Sequence, residues 1–302
     1  MSRKPYADQV KLLLNVIPDV AKEECFALHG GTAINLFVRD MPRLSVDIDL
    51  TYLPLEDRGT SLNNISSALE RIKKSIEGKL QSGRVIHQQE KSKLQVSSQG
   101  ANIKIEVNQT MRGALSAPSV MLLCDSTQEE FDAFCEISVV PIAQLYGGKI
   151  CAALDRQHPR DLFDVKYLLE NEGFADEIKE GFLLCLLSSD RPVHEVIFPN
   201  LQDQRLAMTN QFTGMSRDEF SYTEFERVRE KLIQTIHSAL TDADKQFLIG
   251  FNNAEPDWSI YNFEKFPAVQ WKLQHLNKFK TENSEKHAEQ LEILKHQLNI
   301  QS

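Results

Sequence analysis

The chain has 302 residues, with a hydrophobic fraction of 41%, a charged fraction of 25% and a formal net charge of −9 at pH 7. This is the composition of an ordinary globular protein, so it excludes the fibrous and intrinsically disordered classes. No apolar run approaches the roughly 20 residues that span a membrane, and no secretory signal is recognisable at the N-terminus. We therefore expect a cytoplasmic protein without a membrane partner. Its negative net charge argues against a surface that binds nucleic acid as a whole, but it allows a local basic patch that does.

The cysteines do not form a recognisable framework. There are five of them, and none has the C-x-x-C spacing of a zinc ribbon. An odd number without paired spacing argues against structural disulfides, so we expect reduced thiols that are mostly buried.

The first half of the chain has the pattern of a small mixed sheet with helices packed on it. Apolar residues recur at helical spacing over 6–24 and 62–80, whereas NIKIEVN at 102–108 alternates strictly. Helices interspersed with adjacent strands predict an α+β or α/β domain. The predicted elements are helices at 6–24, 32–38 and 62–80, and strands at 26–28, 43–52, 84–89, 93–98, 102–108 and 134–140.

From Pro141 to the end of the chain, the pattern is mainly helical. His158 and Pro159 interrupt it, and a new helix is predicted to start at Arg160. The other helices are expected at about 175–188, 201–209, 222–240, 242–250 and 268–298. A chain of this length is long for one core. We therefore predict two domains, residues 1–140 with the sheet and residues 141–302 with helices only.

Two aspartates, Asp47 and Asp49, lie one residue apart on the predicted strand at 43–52. Alternate residues of a strand point to the same face, so the two carboxylates share one face. Carboxylate oxygens are the ligands that hard divalent cations prefer, and this pattern predicts a metal site. The alternative is a pair of solvated strand residues, which would be unusual beside apolar Val46, Ile48 and Leu50.

A glycine-led turn precedes this strand. Gly30, Gly31 and Thr32 offer backbone N–H groups and a hydroxyl to which phosphate oxygens can dock. The turn and the aspartates together suggest a metal and a triphosphate. The alternative is an ordinary helix start, because glycine and threonine are both acceptable N-caps.

Glu106 is the candidate third metal ligand, because its predicted strand can lie next to that of Asp49. The alternative is an outward-facing glutamate paired with Lys104. Arg43 is expected to bind phosphate or to pair with Asp40. A local basic surface for RNA is expected to include Arg39, Arg43 and Arg112.

These motifs resemble the AbiEii/AbiGii toxin family of the nucleotidyltransferase superfamily. The resemblance rests on GGT at 30–32, R-x-S-x-D-I-D-L at 43–50, KICAAL at 149–154, PRDLFD at 159–164, EPDW at 255–258 and AVQWKLQHL at 268–276. It covers most of the chain. It implies an α+β fold, with a nucleotidyltransferase-like mixed β-sheet, flanking helices and an all-helical C-terminal domain.

The resemblance also implies roles for side chains in the second domain. Lys149 is expected to reach the nucleotide phosphates, and Asp164 to orient Lys149 or the acceptor, so that both contribute to the catalytic cleft. The alternatives are a lysine stem lying on apolar surface with its ammonium group in water, and an Asp161 that simply favours the first turn of its helix. The catalytic candidates are Asp47, Asp49, Lys149 and Asp164; the nucleotide-binding candidates are Gly30, Gly31, Thr32, Ser45, Lys149, Arg160 and Asp161; the metal-binding candidates are Asp47, Asp49 and Glu106.

The function implied by the resemblance is a toxin that transfers a nucleoside monophosphate from an NTP to an acceptor. Two Mg²⁺ ions are the expected cofactor, the 3′ end of tRNA is the leading acceptor, and a cognate antitoxin is an expected partner. Two alternatives remain open, namely nucleotidylation of a protein and a nucleotide-binding regulatory module without transferase activity.

Overall fold

The computed structural model describes residues 4–80 and 83–299 of the chain. Within these ranges, no helix combines the length and the apolar content that are needed to cross a bilayer. Tertiary contacts divide the described chain into two compact units. The first contains the residues up to Leu145 together with Arg205–Ser221, and the second contains Tyr146–Gln204 and the residues from Tyr222 onward.

The first unit is built on a mixed seven-stranded sheet with the strand order β3-β4-β5-β2-β1-β7-β6. β1 is parallel to β7 and β2 is parallel to β5, and the remaining neighbours are antiparallel. The predicted mixed sheet with flanking helices is therefore confirmed. The strands are β1 (Phe26–His29), β2 (Asp47–Tyr52), β3 (Arg84–Gln88), β4 (Lys93–Ser98), β5 (Ala101–Val107), β6 (Ser119–Leu122) and β7 (Glu136–Val139).

Two long helices cover one face of the β3–β4–β5 region. α1 packs against β5, and α3 packs against β3 and β4. The apolar stripe that predicted α3 is confirmed, since Ile65, Leu69, Ile72 and Ile76 are all buried. The helical segments that precede Ile142 are α1 (Lys4–Val20), α2 (Gly30–Ala33) with a following π-helical turn (Ile34–Val38), α3 (Arg58–Lys79), a 3₁₀ turn (Gln89–Lys91) and α4 (Asp125–Phe131).

The strand predicted at 43–52 begins later than expected, at Asp47. The preceding residues pair with a segment far away in sequence. Arg43 forms an isolated bridge with Ser216, and the backbone N–H of Leu44 donates to the carbonyl of Met215. The short helix also differs, because it begins at Gly30 rather than at Thr32.

Three short elements were not predicted from the sequence. β6 lies at the edge of the sheet, and its exposed residues carry no alternating pattern. α4 has seven residues and α8 (Val193–Ile197) has five, too few for a helical period to be visible. These segments form through contacts with the rest of the fold rather than through a periodic signal of their own.

The described residues of the second unit form helices and connecting loops without a strand, as predicted for the C-terminal part of the chain. The helix predicted at 268–298 is divided at Asn283 into α12 and α13, and these two helices pack on each other. The helix predicted at 201–209 is shifted to α9 (Arg205–Ala207) with a π-helical turn (Met208–Phe212), and both belong to the first unit. The remaining helices are α5 (Ile142–Asp155), α6 (Pro159–Glu170), α7 (Asp176–Leu187), α10 (Tyr222–Ala239), α11 (Asp242–Asn252), α12 (Pro267–Glu282) and α13 (Ser284–Gln297).

Candidate active site

Asp47 and Asp49 lie on the same face of β2, as the sequence predicted. Both are partly accessible, whereas Ile48 and Leu50 between and beyond them are only 0% and 2% exposed. Alternation along the strand therefore places the apolar side chains in the core and both carboxylates on the other face. This face of β2 presents acidic oxygen atoms within reach of solvent.

The two glycines pack directly against this strand and the loop before it. Gly30 has a φ of +73°, and a Cβ atom built on it would lie 2.5 Å from Oδ2 of Asp49. A Cβ atom on Gly31 would lie 2.7 Å from Nη2 of Arg43 and 3.1 Å from Oγ of Ser45. Any side chain at either position would collide with a candidate site residue. This close approach gives a reason for two adjacent glycines that a simple helix start does not require.

Thr32 connects the glycine turn to the start of β2 through a hydrogen bond. Its fully buried hydroxyl donates to the carbonyl of Asp47 at 2.5 Å and lies 3.0 Å from Oγ of Ser45. Since a hydroxyl has one proton, the bond to Asp47 uses the proton that a phosphate contact would need. Ser45 is also buried. The phosphate contacts expected of this turn stay predictions.

Glu106 is the direct neighbour of Asp49 in the parallel pairing of β2 with β5. Its carboxylate forms an ion pair with the ammonium group of Lys93 on β4, so the alternative pairing with Lys104 is wrong. Across the described ranges, no three Asp, Glu, His or Cys side chains are gathered closely enough to hold a metal ion. Metal binding by Glu106 stays a prediction, and Lys93 is the competing partner of its carboxylate.

The basic surface predicted around the site is partly wrong. Arg43 and Arg112 are buried, with 3% and 5% of their surface exposed. The guanidinium group of Arg112 donates to the carbonyl oxygens of Glu56 and Asp57, which precede α3, and to the Ser61 hydroxyl. Arg112 therefore stabilises the start of a helix and is not available to RNA. The carboxylate of Asp40 accepts hydrogen bonds from the backbone and the side chain of Ser126.

The second unit contains a group of four charges, of which three are buried and the fourth, Arg156, is exposed. Nζ of Lys149 on α5 lies 2.8 Å from Oδ1 of Asp161 and 3.0 Å from Oδ2 of Asp164, both on α6. Arg156, just beyond the end of α5, adds bonds of 2.6 and 3.0 Å to the two carboxylate oxygens of Asp161. The three side chains of Lys149, Asp161 and Asp164 are at most 7% exposed. The alternative of a lysine with its ammonium group in water is therefore wrong.

The charges of this group balance, with two cations and two anions. Burial alone would raise the pKa of Asp161, but Lys149 and Arg156 hold that pKa well below its usual range. Asp161 is also in the first turn of α6, where a carboxylate is favoured by the helix dipole. The fourth member, Arg156, was not identified from the sequence, because its link to Asp161 depends on the turn between the two helices.

Arg160 and His158 lie where α6 begins. The side chain of His158 accepts a hydrogen bond from the backbone N–H of Arg160, so the histidine acts as the N-cap of the helix. Oδ2 of Asp164 lies beside Lys149, which is the contact predicted from the family pattern. A role for Arg160 in nucleotide binding stays a prediction.

The predicted site residues thus fall into two groups. Gly30, Gly31, Thr32, Ser45, Asp47, Asp49 and Glu106 belong to the first unit, and Lys149, Arg160, Asp161 and Asp164 belong to the second. Within each unit the structure brings most of these residues into contact. The register of the sheet and the Lys149 cluster agree with the pairings that the sequence suggested.

A mixed sheet that carries two aspartates one residue apart, preceded by a glycine turn packed against them, is the arrangement of a nucleotidyltransferase. The family model described as "Nucleotidyl transferase AbiEii toxin, Type IV TA system" matches residues 11–275. The chain belongs to this family and is a nucleotidyltransferase toxin.

Among solved structures, the chain is similar to MenT4, a nucleotidyltransferase toxin from Mycobacterium tuberculosis H37Rv. The TM-score is 0.59 at 13% sequence identity, and the match covers 91% of this chain and 99% of MenT4. This likeness shows a shared fold. No curated protein matches the sequence significantly.

Proposed function

We propose that the protein transfers a nucleoside monophosphate from an NTP to a hydroxyl group of RNA, with Mg²⁺ as cofactor and the 3′ end of tRNA as the leading acceptor. The observation that carries this proposal is the pair of Asp47 and Asp49 on one accessible face of β2, with the Gly30 turn packed against Asp49. The family to which the chain belongs supports nucleotidyl transfer as the reaction.

The residues on β2 fit a divalent metal. Asp47 and Asp49 would hold it, because hard cations prefer carboxylate oxygens, and the missing side chain at Gly30 leaves room beside Oδ2 of Asp49. Two bound Mg²⁺ ions would supply polarisation of the phosphoryl oxygens and neutralisation of the leaving group. Glu106 would become a third ligand only when its carboxylate is released from Lys93.

The proposed reaction forms a bond between the acceptor oxygen and the α-phosphorus while the bond from that phosphorus to pyrophosphate breaks. The acceptor hydroxyl releases its proton to solvent, and pyrophosphate leaves with the electron pair of the broken bond. The backbone of Gly31 would bind the triphosphate oxygens, and the buried guanidinium group of Arg43 lies directly against it. Thr32 and Ser45 would position this turn on β2 through their buried hydroxyl groups.

Lys149 and its two aspartates have a proposed role and a structural alternative. Family membership favours contact of Lys149 with the nucleotide phosphates and orientation of Lys149 by Asp164. The alternative is that the cluster only joins α5 to α6. A Lys149→Met variant that folds but transfers nucleotide normally would support the structural alternative.

A protein acceptor is the second candidate, since a serine, threonine or tyrosine hydroxyl can undergo the same transfer. The net charge of −9 and the burial of Arg43 and Arg112 favour it, because both reduce the attraction for RNA. A purely nucleotide-binding module would not need both aspartates. A cognate antitoxin is the proposed cellular partner, because the family is one component of a toxin–antitoxin system.

The test is to incubate the protein with Mg²⁺, each α-labelled NTP in turn, and either total bacterial RNA or a protein extract. We expect label in RNA, and a loss of about 100-fold or more in Asp47→Asn and Asp49→Asn, because removing a ligand carboxylate weakens the charge stabilisation of the transition state. Asp8→Asn is the matched control, since Asp8 is exposed on α1. Label in neither fraction, or undiminished transfer by both variants, would contradict the proposal.

A further inference from the structure

The open face of the sheet next to Asp47 and Asp49 is polar along three further strands, except at Ile86. β3, β4 and β5 alternate between buried and accessible residues, and α1 and α3 pack on the buried side. The other side therefore faces away from these helices. It is formed by Arg84, Ile86 and Gln88 of β3, by Lys93, Gln95 and Ser97 of β4, and by Asn102, Lys104 and Glu106 of β5. We call these nine residues the open face.

The open face is continuous with the candidate active site. In the pairing of β2 with β5, Asp47 lies opposite Lys104 and Asp49 lies opposite Glu106. In the pairing of β5 with β4, Lys104 lies in turn opposite Gln95. Since neighbouring strands are about 4.8 Å apart, the open face extends about 15 Å from β2 to β3. A chain lying across it would end beside the two aspartates.

The open face has the charge that a polyanion requires. Arg84 and Lys104 are exposed, and neither forms an ion pair with any residue in the part of the chain that the structure describes. Two cations without an ion-pair partner among the described residues are notable in a protein with a net charge of −9. Gln88 and Gln95 are partly accessible and add amide groups that both donate and accept hydrogen bonds.

We propose that the open face binds the single-stranded 3′ end of the RNA acceptor and leads its terminal hydroxyl to Asp47 and Asp49. This inference rests on the proposed function. Arg84 and Lys104 contact phosphates, and Gln88 and Gln95 contact sugar or base edges. None of the nine residues is aromatic, so bases are not held by stacking and binding tolerates many sequences but depends strongly on salt.

The experiment measures binding of a 12-nucleotide, 5′-fluorescein-labelled single-stranded RNA of mixed sequence to the full-length Asp49→Asn protein, followed by anisotropy at several salt concentrations. Adding Arg84→Glu and Lys104→Glu is expected to weaken binding by about tenfold or more and to reduce the slope of log K against log salt by about 1.4, because two phosphate contacts to a single strand are lost. The matched control adds Lys11→Glu and Lys74→Glu, which reverse two exposed lysines on α1 and α3. The control is expected to change binding less than twofold.

Turnover by the protein with intact aspartates separates this inference from the proposed function. Arg84→Glu with Lys104→Glu should raise the KM for RNA and leave the KM for NTP unchanged. Equal binding by the open-face variant and the control, or no measurable binding by the parent, would overturn the inference while leaving metal-dependent transfer intact. Label that enters protein and not RNA would overturn both the RNA acceptor and this use of the open face.

Discussion

At the scale of single residues, Gly30 and Asp49 constrain each other. Gly30 has a left-handed backbone, and the space that its side chain would fill is taken by the carboxylate of Asp49. Two separate costs therefore oppose substitution, the strain of a positive φ and a collision with a candidate metal ligand. Gly100 distinguishes the strain from the collision. Its φ is also positive, at +83°, but nothing lies within 4 Å of its Cβ position, so only the strain applies.

Gly30→Ala is expected to abolish most of the transfer activity by displacing Asp49. Gly100→Ala should retain that activity and lose only about 1–2 kcal/mol of the free energy of unfolding, which is the cost of a left-handed alanine. Urea unfolding and the labelled-NTP assay on both variants would measure these effects. Equal activity of the two variants would show that contact with Asp49 does not matter.

At the scale of secondary-structure elements, α5 and α7 approach each other more closely than side chains would allow. A Cβ atom on Gly147 of α5 would overlap the backbone of Gly181 and Phe182 on α7. The neighbouring atoms are backbone rather than the end of a flexible side chain, so the helices themselves must move to make room. Lys149 on α5, two residues after Gly147, and Arg156 just beyond the end of α5 both bind Asp161 on α6.

Gly147→Ala is expected to reduce the free energy of unfolding by about 2–3 kcal/mol, because overpacking against the backbone cannot relax locally. Gly78→Ala on α3 has nothing within 4 Å of its added methyl group. This control should be neutral or stabilising by up to about 1 kcal/mol, since alanine favours a helix over glycine. Thermal and urea unfolding would compare them, and similar stability of the two variants would contradict the close approach of α5 and α7.

At the scale of the whole molecule, buried carboxylates in both units make the fold sensitive to acid. Burial opposes ionisation of Asp19, Asp161 and Asp244, yet in each case hydrogen-bonding and charged partners lower the pKa. A carboxyl whose pKa is lower in the folded protein stabilises the fold at pH values above the unfolded pKa of about 4. That stabilisation is lost as the pH falls below about 4 toward the folded pKa.

Asp161→Asn tests this dependence. At pH 7 the variant is expected to lose about 3–5 kcal/mol, because Lys149 and Arg156 lose the charge of a buried partner. The difference from the wild-type protein should shrink as the pH falls below about 4, because the unfolded wild-type chain then binds a proton at Asp161 while the folded protein keeps this carboxylate ionised. Urea unfolding at pH 7 and pH 3 measures the difference in free energy of unfolding between the two proteins. An equal difference at the two pH values would contradict a lowered pKa of Asp161 in the folded protein.

Much of the fold was predictable from the sequence, because apolar periodicity determines which segments can bury a face. The strict alternation of β5 and the apolar stripe of α3 both follow from the order of the residues alone. The extent of β2, the edge strand β6 and the break at Asn283 do not. Each depends on a distant partner or on local geometry, as with Arg43 and Leu44 pairing to residues 215–216.

The sequence by itself determined the candidate chemistry, since the spacing of Asp47 and Asp49 requires a common face on any strand. The family pattern also made Lys149 and Asp164 candidates for the site. Only the tertiary structure decided which partners the candidate side chains contact. Glu106 pairs with Lys93, the Thr32 hydroxyl donates to the carbonyl of Asp47, and Lys149 pairs with two buried aspartates. The reason is physical, because local spacing determines the direction of a side chain, whereas its partners come from strands and helices that meet only in the folded chain.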